Sequence, residues 1–280
     1  MSDIVFIADF FVEQILGGGE INNEELIQIL LSQGYTVHKL QSHLVTRSVI
    51  EASRDSVFIV ANFINLSEEV KSTLQSRKYI IYEHDHKYLK SRNPATYPNF
   101  VAPPEELVNE KFYQNATAVL CQSIFHKDIV HKNLGIDNIV SLGGNLWSKQ
   151  QLSLLSEMSK VEKADKYSIM ESSIPHKNTL DAIRYCSIKR IPYELIPSLP
   201  YEEFLRRLGS NQSLIFLPKT PETLSRIVVE ARMMDMKVVT NGLVGASKET
   251  WFSLRGDDLI AVMQEKREEI PLIIKKELGI

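Results

Sequence analysis

Cysteine is scarce: Cys121 and Cys186 are the only two among 280 residues. Each sits inside an apolar stretch with no Cys-x-x-Cys and no Cys/His ligand spacing, which argues against a disulfide framework or a zinc site and for buried thiols in a reducing compartment. A surplus of charge of one sign is missing as well. Lys plus Arg number 32 against 35 Asp plus Glu, a formal net charge of -3, so no global field draws the chain to nucleic acid or to an anionic membrane. No apolar run reaches the length of a membrane span. The opening "MSDIVFIADFFVEQIL" has no basic leader segment and carries Asp3, Asp9 and Glu13, so it reads as a first strand rather than a signal peptide. Fixed-period repeats and low-complexity tracts are also absent. Together these point to a cytoplasmic globular protein without a nucleic-acid partner.

What the chain does contain is a regular alternation. With 44% hydrophobic and 24% charged residues it can form one large domain or two modest ones. Short β-branched runs, "DIVFIADF", "TVHKL", "SVFIVANF", "YIIYEHD", "AVLCQS" and "NIVSLGG", are separated by helical patterns at residues 20–33, 68–76, 105–115 and 125–134. This predicts a six-strand, doubly wound parallel unit over residues 1–145. After "GGNLWSKQQ" the alternation restarts with "YSIMESS", "YELIPS", "SLIFLPK" and "KVVTN", with helices expected from Lys177, Tyr201 and Thr223. A second, smaller α/β unit over 146–265 follows, and a charged helix over about 266–280 could pack back on the first unit. In open parallel sheets ligands bind beyond the carboxyl ends of the strands, so the residues just after each strand are the candidates.

The segment "TPETLSRIVVEARMMDMKVVTN" is the most informative of these. Glu222 and Glu230 lie eight residues apart, and on one helix they would be separated by about 12 Å along the axis and roughly 80° around it. A helix opening near Thr223 would aim the amides of Thr223, Leu224 and Ser225 and the positive dipole end at an anion. In its context the pair resembles the E-x7-E donor segment of retaining glycosyltransferases of GT-B fold, particularly family 4. The resemblance implies that Glu222 contacts the transferred sugar and Glu230 the ribose hydroxyls of the nucleotide. Two departures stand out: Thr-Leu-Ser replaces the family's usual Gly-Phe-Gly after the first Glu, and Ser172 occupies the position of a diphosphate-binding arginine. Lys177 matches the family's diphosphate lysine.

"GGGE" after the first strand resembles the family's Gly-rich loop, which places Gly18 and Gly19 against the diphosphate and acceptor. At the end of the fourth strand, His84 and Asp85 take an acceptor-side and catalytic role by the same resemblance. A metal at His84 and His86, and polar strand-end residues with no role, remain as alternatives there. "CQSIFHK" resembles a Ser-x-Phe-x-Lys segment, with His126 either within reach of a ligand or facing solvent. The implied reaction moves a sugar from a nucleotide diphosphate, UDP before GDP or ADP, to a glycan or lipid-linked glycan hydroxyl, with retention and with no metal or other cofactor. It fits polysaccharide biosynthesis and allows a weak peripheral membrane contact; the oligomeric state is open. The rival readings are a non-catalytic nucleotide- or sugar-binding module of the same fold and a sugar-nucleotide epimerase or phosphorylase. A dinucleotide dehydrogenase is disfavoured because no G-x-G-x-x-G directly follows the first strand.

Overall fold

The computed structural model describes residues 3–280 and divides them into two compact units. Unit 1 comprises residues up to Leu146 together with Lys266–Ile280, and unit 2 is Trp147–Glu265.

Unit 1 is built on strands β1 (Ile4–Ala8), β2 (Val37–Gln41), β3 (Val57–Val60), β4 (Tyr79–Tyr82), β5 (Ala118–Cys121) and β6 (Ile139–Ser141). All pair in parallel, in the order β2-β1-β3-β4-β5-β6. Because the side-chain period of a strand is two, the sheet sends Val5, Ile7, Phe58, Val60, Tyr79 and Ile81 to one core and Ile4, Phe6, Ala8, Ile59, Ile80 and Tyr82 to the other. Both faces are covered, which is why these strands read as unbroken apolar runs. Helices α2 (Arg47–Ala52), α3 (Glu68–Leu74), α4 (Glu110–Gln114) and α5 (Ile124–Leu134) cover the first face; α1 (Gly18–Ser32) covers the second.

Unit 2 contains α6 (Lys149–Ser159), β7 (Ala164–Met170), α7 (Thr179–Lys189), β8 (Tyr193–Ile196), α8 (Tyr201–Leu208), β9 (Asn211–Phe216), α9 (Arg226–Met233) and β10 (Lys237–Thr240). Its four strands are parallel in the order β10-β9-β7-β8. Helix α10 (Gly256–Leu278) begins in unit 2 and ends in unit 1, where Ile270, Ile274 and Leu278, spaced four apart, enter the same core as Leu26 and Leu30. The architecture is therefore two Rossmann-like α/β units, as the sequence pattern predicts. Both cysteines are free and buried. No described helix is long and apolar enough to cross a membrane.

Three helix expectations need correction. Residues 105–115 do not form one helix: a short 3-10 turn at Pro104–Glu106 is followed by α4, because Asn109 adopts a left-handed conformation at φ 60. The helix expected from Lys177 starts at Thr179, after a left-handed Asn178. The one expected from Thr223 starts at Arg226, after a left-handed Ser225.

Candidate functional site

In each unit the chain winds first to one side of the sheet and then to the other. The reversal falls between β1 and β3 in unit 1 and between β7 and β9 in unit 2, and such switch points open a crevice at the strand ends.

At the unit 2 switch point two loops are tied together. The Asn178 side chain donates to the Leu217 carbonyl at 2.7 Å, and the Lys219 amide to the His176 carbonyl at 2.8 Å. Asn178 can hold its left-handed turn because Asn tolerates that region better than branched residues. Glu222 lies beyond β9, locked by its backbone to the loop after β10: its amide donates to Leu243 and its carbonyl accepts from Gly245, at 2.8 and 2.9 Å. Those bonds remove Glu222 from the helix it was expected to begin. The result brings Lys177 Nζ to 2.8 Å from Glu222 Oε1, across 45 residues of sequence. The side chains are 27% and 14% exposed, so the pair faces water. The Lys177 ammonium also lies 5.8 Å from the centre of the Phe216 ring.

The amides of Thr223, Leu224 and Ser225 do not form the first turn of a helix. Leu224 is buried in the unit 2 core and its carbonyl accepts from Ala246 at 3.0 Å. Ser225 is the residue before α9, at φ 78 and ψ 86, so the positive dipole end falls beside Ser225 and Arg226. Its buried hydroxyl has no protein partner. This is the position at which the resembled segment carries a glycine, and a serine there strains the backbone. Ser172 is also committed locally: its amide donates to Thr179 Oγ1 and its hydroxyl accepts from the Ile174 amide.

Glu230 does sit on α9, but it is only 3% exposed. Its Oε1 accepts from Trp147 Nε1 at 3.0 Å and from the Tyr201 hydroxyl at 2.6 Å, with Arg226 Nε at 3.4 Å. None of these three partners emerges from the sequence reading. Tyr201 had a signal, since it opens the helix that follows a strand; Trp147 and Arg226 had none.

In unit 1, Gly18 and Gly19 are the first two residues of α1 rather than a loop ahead of it, with Gly17 as the capping residue. A Cβ at Gly19 would lie 3.6 Å from the His84 ring, an ordinary contact, so protein packing alone does not require glycine there. His84 and Asp85 follow the end of β4. Both ring nitrogens of His84 are engaged: Nε2 faces Asn23 Oδ1 at 2.6 Å and Nδ1 faces the Gln122 amide. Burial, then the Lys87 charge, pushes its pKa down to about 3. His84 is therefore a neutral imidazole clamped by its two partners. Burial alone would raise Asp85, but Lys87 at 2.8 Å and Arg92 at 3.3 Å outweigh it and hold the carboxyl below its usual range. Lys87 also pairs with the fully buried Glu83 at 3.0 Å, and Glu83 accepts from the Tyr113 hydroxyl.

His126 does not reach a surface. It is completely buried in the first turn of α5, its ring centre 5.2 Å from that of His86, and burial together with the neighbouring His86, Lys87 and His84 holds its pKa well below normal. Ser123 caps the helix, its hydroxyl accepting from the His126 amide at 3.1 Å. No group of three or more His, Cys, Asp or Glu among the described residues has a metal-holding arrangement.

No family model matches the chain, and no curated protein matches it. Solved structures do. Anabaena HepE, in complex with UDP and glucose, is similar over 89% of this chain and 83% of its own, at 13% identity and a TM-score of 0.54. The catalytic domain of starch synthase IV from Arabidopsis thaliana, bound to ADP and acarbose, is similar over 100% and 95%, at 10% identity and a TM-score of 0.53. The UDP-GlcNAc 2-epimerase of Methanocaldococcus jannaschii, in complex with UDP-GlcNAc and UDP, is similar over 96% and 92%, at 10% identity and a TM-score of 0.50. At these identities the likeness establishes the fold, two Rossmann-like units of the GT-B kind.

Proposed function

We propose that the chain is a glycosyltransferase moving a sugar from a nucleotide-diphosphate sugar to an acceptor hydroxyl. The observation that carries the reading is the water-facing Lys177–Glu222 pair at the unit 2 switch point, with Glu230 on the helix that follows. The likeness in fold to HepE, solved with UDP and glucose, and to starch synthase IV, solved with ADP and acarbose, supports a nucleotide-sugar donor.

A partly exposed ion pair is held weakly, so a diphosphate can take Lys177 from Glu222 at small cost. Lys177 then offsets the negative charge that grows on the leaving diphosphate, and Glu222, released, turns to the transferred sugar. The segment from Thr223 to Ser225 lines the donor, Ser172 stands where a second cation would add to Lys177, and Glu230 takes the ribose. On the acceptor side Asp85, Gly18 and Gly19 approach the acceptor, while His84 orients through its clamped ring. Retention, a UDP-sugar as the preferred donor, the absence of a resident metal or other cofactor, a glycan or lipid-linked glycan acceptor with a role in polysaccharide biosynthesis, a weak peripheral membrane contact and a cytoplasmic setting belong to the proposal through the family resemblance.

The second reading is a binding module without turnover, favoured by Ser172 and by the neutralisation of Lys177. Calorimetric titration with UDP, GDP and ADP, followed by turnover with the matching sugar donors, tests both. Selective nucleotide binding and donor consumption only when acceptor is added are the expected results. Binding without turnover supports the module, and conversion of UDP-GlcNAc with no acceptor supports an epimerase. In Glu222→Ala, turnover is expected to fall at least tenfold with nucleotide affinity little changed.

A further inference from the structure

The carboxylate assigned to the ribose already holds an O–H donated from within the protein. Tyr201 donates to Glu230 Oε1 at 2.6 Å, on the same oxygen that accepts from Trp147. The three groups around that oxygen differ in how firmly they are held. Trp147 is fully buried, and Arg226 is buried with its guanidinium stacked 4.3 Å from the centre of the indole ring. Tyr201 is only partly buried. It is the first residue of α8, preceded by Pro200, at a helix end that has no side-chain cap. Of the three groups it is therefore the one a ligand arriving from water can displace.

The chemistry of the exchange is matched. A buried carboxylate short of donors is costly, so an O–H from the protein satisfies it while no ligand is present. A ribose hydroxyl offers the same O–H donor to the same acceptor. Burial, and after it the charge of Glu230, raises the phenol pKa, which keeps Tyr201 protonated and donating.

We infer that Tyr201 is a built-in competitor for the ribose of the nucleotide, holding Glu230 Oε1 until a ribose hydroxyl replaces it and thereby setting the affinity for the donor. The inference rests on the nucleotide-sugar reading above. Occupation of Glu230 by Tyr201 lowers the fraction of molecules competent to bind and weakens the apparent affinity in proportion.

The test is calorimetric titration of wild type and Tyr201→Phe with UDP and with 2′,3′-dideoxy-UDP, with Glu230→Gln as the control. Tyr201→Phe removes one oxygen from a partly exposed ring and leaves Trp147 and Arg226 on Glu230. It is expected to bind UDP roughly tenfold tighter than wild type, the equivalent of one hydrogen bond to a charged group. No gain is expected with the dideoxy nucleotide. Where wild type binds UDP and Glu230→Gln weakens it, an unchanged or weaker UDP affinity in Tyr201→Phe overturns the competitor and leaves the nucleotide reading standing. An equal gain for both nucleotides overturns it too, since the effect would not pass through the ribose. If wild type binds none of UDP, ADP and GDP, the nucleotide reading falls and the inference falls with it.

Discussion

The two units share a winding order but finish their switch points differently. In unit 1 the residue just after β1 is Asp9, which is 5% exposed and accepts from the Ser42 hydroxyl and from the amides of Ile64 and Asn65 at 3.0 and 3.1 Å. The protein itself has saturated that carboxylate, and it stitches the ends of three strands together. In unit 2 the same place holds Lys177 and Glu222, which satisfy each other and little else. The difference teaches that topology supplies the crevice twice, whereas the local hydrogen-bond supply decides whether the carboxylate there is saturated by the backbone or left with a single side-chain partner. Unit 1 places its buried charge further along, in the Lys87–Glu83 pair after β4.

The sharpest way to break the contrast is Lys87→Met, which leaves the buried Glu83 without its counter-charge. Such a loss costs about 3–5 kcal/mol. Urea unfolding should therefore show an early transition belonging to unit 1, with nucleotide affinity of the remaining folded protein unaltered.

Acid offers a second separation. His84, pushed down to about 3 from 6.5, binds its proton in the unfolded chain but not in the folded one over that window. Stability of unit 1 is therefore full above about 6.5 and is lost as pH falls toward 3, with a slope up to about 1.4 kcal/mol per pH unit for each such histidine. His126 acts in the same direction. Unit 2 holds a single histidine, His176, and it is exposed, so nothing like His84 and His126 couples the stability of unit 2 to pH between 7 and 5, and a smaller change is expected there. Denaturation curves at the two pH values measure this, and an equal shift in both units would refute it.

Smaller again is the direct comparison of the two switch points. Asp9→Ala strands two backbone amides and should destabilise unit 1 by about 2 kcal/mol. Glu222→Ala should cost under about 1 kcal/mol, because a partly exposed pair contributes little. Chemical denaturation of both variants tests whether the second carboxylate is kept for chemistry rather than for stability. A gain in stability, of similar small size, is expected from Ser225→Gly. Removing the side chain at φ 78 should stabilise unit 2 by about 1 kcal/mol, read as a rise in its melting midpoint.

Much of the fold was legible in the primary structure. The runs "IVFIA", "VFIV", "YIIY" and "AVLC" are apolar throughout because they form strands covered on both faces, and that requirement is written residue by residue. The places just after those strands could be named for the same reason. What each residue does there was harder to see. His126 looks like any polar residue at a helix start, and only the tertiary packing, with its ring beside that of His86, puts it in the interior. A helix was expected to open near Thr223, but the bridge between Glu222 and Val244 claims the backbone just before it.

The sequence by itself determined two α/β units of parallel strands, the strand-end positions of Lys177, Glu222 and His84, and thiols without partners, because periodicity and composition act locally. Only the tertiary structure decided that Lys177 meets Glu222, that Tyr201 and Trp147 share the Glu230 carboxylate, and that His84 is clamped between Asn23 and Gln122. Those partners come from segments between 29 and 83 residues apart. Their pairing follows from the order in which strands are laid into a sheet, and no local signal in the chain carries that order.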